Sequence, residues 1–65
     1  MNMFRLIYLA EQIRDHGRSV EHQIERYAET RDDTNVDIAK MHLTAIHGFM
    51  TELSLMLDNS RDKEQ

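Results

Sequence analysis

The chain contains no cysteine, no proline and no tryptophan, and only two glycines, Gly17 and Gly48, among its 65 residues. Each absence excludes something. Without cysteine there are no disulfides and no thiolate-ligated metal, two of the devices by which so short a domain makes up for a small core. Without proline, and with so little glycine, nothing interrupts a helix except clusters of polar residues. No apolar run approaches the roughly 20 residues of a membrane span. The patchy stretch Met1 to Ala10 is interrupted by Arg5, is followed by no small-residue cleavage site, and reads as the first turns of a helix. Basic residues are scarce as well: eight against twelve acidic ones give a formal net charge of −4, which repels phosphate backbones and argues against bulk DNA binding. A chain without thiols is indifferent to redox state, and the cytoplasm is the expected compartment.

What is present is helical periodicity. Leu6, Ala10, Ile13, Gly17, Val20, Ile24 and Tyr27 are spaced alternately by four and three, a heptad stripe. The polar cluster Thr30-Arg31-Asp32-Asp33-Thr34-Asn35 then reads as a turn. Beyond it the spacing returns at Val36, Ala39, Leu43, Ile46, Met50, Leu53 and Leu57, widened by Ile38, Ala45, Phe49 and Met56. Thr34 is the expected N-cap of the second helix, with Asp37 three residues on. The pattern predicts an all-α, single-domain antiparallel hairpin: helix 1 over about 3–29, a turn over 30–35, helix 2 over about 35–58 and a frayed tail over 59–65. Residues whose numbers sum to about 65 are expected at one level, so Gly17 faces Gly48, and these small residues suggest either a close crossing or a hollow.

One hairpin has a single seam, yet helix 2 carries a stripe with a flank and helix 1 adds Met3, Phe4, Ile7 and Leu9. On a monomer those positions form an exposed patch. A homo-oligomer, at least a dimeric four-helix bundle, is the expected remedy.

Enzymatic signatures are missing. There is no cysteine nucleophile, no serine in an elbow, no glycine-rich phosphate loop and no Glu-x-x-His pair. The histidine pairs His16/His22 and His42/His47 are six and five apart, not the three or four that puts two ligands on one helical face, so no metal site is expected within a hairpin. Glu21, Glu25 and Glu29 read as a solvated face paired in part with Arg14, Arg18 and Arg26.

The opposite side of helix 2 presents Asp37, Lys40, Thr44, His47, Thr51, Ser54 and Asp58, polar but thinly charged. Short hydroxyls beside Lys40 and His47 suit hydrogen bonding to a ligand, or alternatively close packing between hairpins. His42 borders the stripe as a ligand candidate or a half-buried packing residue.

At Ile38-Ala39-Lys40-Met41-His42-Leu43, followed by Ala45 and the group Gly48-Phe49-Met50, and preceded by the turn Arg31-Asp32-Asp33, the chain resembles the hairpin domain of phage-encoded cyclic-oligonucleotide sponges that blunt CBASS or Thoeris-type immunity. The resemblance spans residues 31–50. It implies a phage protein acting in the host cytoplasm, all-helical and oligomeric, that sequesters signalling nucleotides between hairpins without degrading them, with no cofactor. A ligand with phosphates and flat bases needs cations, hydroxyls and a stacking plane, which Lys40, Arg18 or Arg26, Thr44, His47, His42 and Tyr27 can supply if two hairpins bring them together. Two other readings stand beside it: an inhibitor or adaptor that binds a host protein through a helix face or the patch of Met3, Phe4 and Ile7, and an RNA-binding bundle, against which the acidic charge argues.

Overall fold

A computed structural model describes residues 2–63, with the side chains of residues 2–61, as two long helices packed on each other: α1, Met3–Thr30, and α2, Asp33–Lys63. No strand occurs among the described residues.

Local chemistry sets the ends of the helices. Asn2 caps α1, its Oδ1 accepting from the Arg5 N–H at 3.1 Å, which satisfies one of the amides a helix start leaves free. Arg31 ends the helix in the left-handed conformation (φ 56°, ψ 26°), and its N–H donates to the Tyr27 carbonyl at 2.8 Å. Glycine usually takes that role because it has no Cβ to clash. Here the Arg31 guanidinium lies 5.6 Å from the centroid of the Tyr27 ring, a cation–π contact that offsets part of the cost.

The connection is much shorter than the polar cluster predicts, since only Arg31 and Asp32 lie between the helices. The Thr30 hydroxyl is its hub: it donates to the Arg26 carbonyl and accepts from the Asp32 N–H and the Asn35 side chain. Asp32, not Thr34, caps α2, with Oδ1 accepting from the Thr34 N–H at 2.9 Å and its carbonyl from the Asn35 N–H at 3.0 Å. Asp33 in the first turn adds a negative charge at the positive end of the dipole. At the other end α2 runs on to Lys63, well past the predicted end at 58; the tail's last two residues lie outside the described ones. Asn59 to Lys63 contain neither glycine nor proline, so nothing in them stops a helix.

Contacts between the helices run in opposite order along the chain: Arg5 meets Glu52, Tyr8 meets Phe49, His16 meets His42, and Tyr27 lies near Val36 beside the turn. The seam itself is shifted from the predicted stripe by a regular rule. In α1 the inward residues are Leu6, Leu9, Ile13, His16, Val20, Gln23 and Tyr27, so alternate positions hold while Ala10, Gly17 and Ile24 give way to the residue before each. In α2 Val36, Ala39, Ile46 and Leu53 hold, and Leu43, Met50 and Leu57 give way to His42, Phe49 and Met56. Side-chain volume explains the choice in α1, where Leu9 and His16 fill space that Ala10 and Gly17 leave empty.

The glycines do not mark a close crossing. A Cβ placed on Gly17 or Gly48 meets no atom within 4 Å.

Candidate functional site

The displaced half of each stripe lies on one face of the molecule. There Val20, Ile24 and Tyr27 of α1 and Val36, Ala39 and Leu43 of α2 line an apolar groove, with Gln23, Asn35 and Lys40 at its edges. Farther from the turn, Ile13 joins Met50, Leu53 and Leu57 in a second depression. Ile24 is 59% exposed and Leu43 51%, while the buried core among the described residues holds only Leu6, Leu9 and Ala39. One polar atom is stranded beside this surface: Gln23 Oε1 is buried and has no hydrogen-bond partner. Leaving a buried acceptor unpaired costs about 1–3 kcal/mol.

The predicted ligand residues are dispersed. Tyr27 and Lys40 line the same groove, and Lys40 is exposed. Thr44 lies on the exposed side of α2, with its hydroxyl donating back to the Lys40 carbonyl at 3.1 Å. Thr51 does the same to the His47 carbonyl at 2.9 Å. These hydroxyls keep acceptor capacity only, their donors being used within the helix. His47 lines a separate, shallow surface with Met50, Thr51, Ser54 and Leu55. Arg26 is exposed outside the groove.

His42 turns inward, its Nδ1 lying 2.8 Å from Nδ1 of His16. The Phe49 ring stacks on His16 at a centroid distance of 5.7 Å and meets Tyr8 edge-on at 6.3 Å. The Arg5 guanidinium sits 5.1 Å from the Tyr8 ring centroid and grips Glu52 with two hydrogen bonds, of 2.7 and 2.9 Å. That pairing holds the Glu52 carboxyl below the usual carboxylate range, chiefly through the hydrogen bonds, and raises Arg5. Asp32 is also lowered, first by the Thr34 N–H it accepts.

Spacing along each helix could not reveal the histidine pair, because its members come from different helices; the usable signal was that both fall next to stripe positions. The glutamates of α1 are likewise not paired as predicted. Among the described residues the remaining ion pair joins Arg14 to its neighbour Asp15 at 3.5 Å. No group of three or more metal-binding side chains occurs among them, and no described helix is long and apolar enough to cross a membrane. Compared with protein-family models, curated proteins and solved structures, the chain matches none.

Proposed function

We propose that the chain is an antiparallel hairpin whose working form is a homo-oligomer, at least a dimer, and that it acts by binding without chemistry of its own. One observation carries this reading. The heptad stripe of each helix is split between the seam and the outside, so that Ile24, Leu43, Met50 and Leu57 stand half or more exposed along one face. A buried core of three residues among those described is small for a domain, and a second copy laid on the groove face would give the displaced residues partners at the same heptad spacing.

The ligand that best suits such an assembly is a small, flat anion of the nucleotide class, in keeping with the cyclic-oligonucleotide sequestration that the resemblance implies. Support comes from the groove beside the turn, where Tyr27 provides a stacking plane and Lys40 a cation. A protein partner is the second reading, favoured by Phe4, which is 87% exposed near Met3 and Ile7.

The test begins with Leu43→Asp. Leu43 faces water in the single hairpin, so the variant keeps its helical circular dichroism. Assembly would bury the new charge, so its mass by light scattering falls to that of one chain. An unchanged mass would reject the groove face as the interface. A thermal-shift panel of cyclic di- and trinucleotides then tests the ligand: stabilisation that disappears in Lys40→Ala is the expected result, and no response from an intact oligomer moves the assignment to a protein partner.

A further inference from the structure

The residues displaced from the seam differ in size between the two helices. One and two heptads before Ile24, α1 carries Gly17 and Ala10, whereas α2 carries Leu43 and Met50. Both of these α2 side chains are half or more exposed, and a Cβ on Gly17 meets no atom within 4 Å. Large side chains thus stand on one helix beside open space on the other. We infer that a second copy docks with its turn at the same end, α1 of each copy lying over α2 of the other, so that the partner's Leu43 sits over Gly17 and the partner's Met50 over Ala10. This orientation rests on the groove face being the interface, as proposed above.

Level along the rod decides which residues meet. The seam sets Arg5 beside Glu52, Tyr8 beside Phe49 and His16 beside His42, which makes Gly17 level with Leu43 and Ala10 level with Met50 to within one helical turn. Two identical rods aligned through one face close by a two-fold axis in the plane of contact. An axis along the rod keeps every residue at its own level and turns α2 of one copy over α1 of the other. Each large side chain then meets a small one, as knobs meet holes in a coiled coil. An axis across the rod instead stacks each helix on its own copy. Because α1 runs from Met3 to Thr30, full overlap centres that axis near Gly17 and Leu43. Glycine then faces glycine and leucine faces leucine, a gap beside a crowded contact.

The face is large enough for a stable pair. A rod of 52 × 15 × 12 Å has a broad side of roughly 800 Å², matching the about 800 Å² that each partner contributes to a standard interface. With the turns together, Tyr27 and Lys40 of both copies stand at one end of the bundle, where the crosswise axis would put them at opposite ends.

The chain has no cysteine of its own, so Asp15→Cys and Glu29→Cys each take a single spin label. Both residues are exposed, and each stands two positions past a seam residue, two heptads apart. Double electron–electron resonance reads the distance between the labels of the two copies, with mass by light scattering alongside. Equal distances at the two positions are expected. Under the crosswise axis the labels at residue 29 would lie about 36 Å apart along the rod and those at residue 15 nearly level. A dimer's mass with a distance about 20 Å longer in Glu29→Cys would therefore overturn the orientation and leave the groove-face dimer standing. A mass of one chain would overturn both. Exchanging large for small gives a second check. The Gly17 side is open in the single hairpin, so Gly17→Leu keeps its helical circular dichroism, yet its dimerisation by sedimentation should weaken at least tenfold. Adding Leu43→Ala should restore most of it. Alanine already stands at residue 10, so the smaller change Gly17→Ala should remain dimeric. Unchanged dimerisation in Gly17→Leu, or no recovery in the double variant, would reject the pairing of Gly17 with the partner's Leu43.

Discussion

Gln23 is a polar residue at a seam position that suits an apolar one. Its Oε1 is buried with no donor, and removing such an atom while keeping the side chain's length relieves the desolvation cost without opening a cavity. Gln23→Met is therefore expected to stabilise the hairpin by about 1 kcal/mol or more, read as an upward shift in the thermal midpoint; a lower midpoint would mean that a donor already satisfies the oxygen in solution. The carboxylates act at the same scale. Glu52 and Asp32 are held below their ordinary range in the folded chain, so each unfolded carboxyl takes up a proton before the folded one does. Their contribution is present above about pH 4 and is lost as pH falls through the lowered folded values. Both groups are exposed and screened, so the effect is small. The melting midpoint should fall on acidification below that range, less steeply in Glu52→Gln, and a slope unaffected by that substitution would show that the Arg5 pairing does not form. Arg5, being raised, stays charged across this whole window.

At the scale of the element, the two glycines are the sharpest correction. Their matched placement in the sequence reads as a close crossing, yet a Cβ at either position meets nothing within 4 Å. Gly17→Ala and Gly48→Ala should each stabilise the hairpin by about 0.5–1 kcal/mol through backbone entropy alone, measurable by urea unfolding. Loss of stability in Gly17→Ala would indicate that a second copy approaches that backbone. The helices themselves were legible, because a long 3.5-residue periodicity with no breaker leaves few alternatives. Their ends were not. A six-residue polar cluster reads as a turn, but Thr30, Asp32 and Asn35 use their side chains to cap and bridge the helices, so only Arg31 and Asp32 remain between them.

For the whole molecule, dimensions of 52 × 15 × 12 Å describe a rod with little interior. If assembly on the groove face supplies the missing burial, stability is linked to protein concentration. The melting temperature of the natural chain should climb with concentration, and that of Leu43→Asp should not. A midpoint independent of concentration in both would mean that the hairpin stands alone.

Periodicity, the lack of breakers and the lack of thiols were enough to specify two helices joined by a polar turn, since those properties are local and every residue votes on them. Which edge of each apolar face turns inward was decided only in three dimensions. Ala10 and Leu9, or Leu43 and His42, satisfy the same heptad equally well along the chain, and only contacts across the seam separate them: side-chain volume for Leu9, the meeting with His16 for His42. The meeting of His16 with His42 belongs to that second kind of information, as does the groove that joins Tyr27 to Lys40: each depends on the register between two helices, which no spacing within either one records.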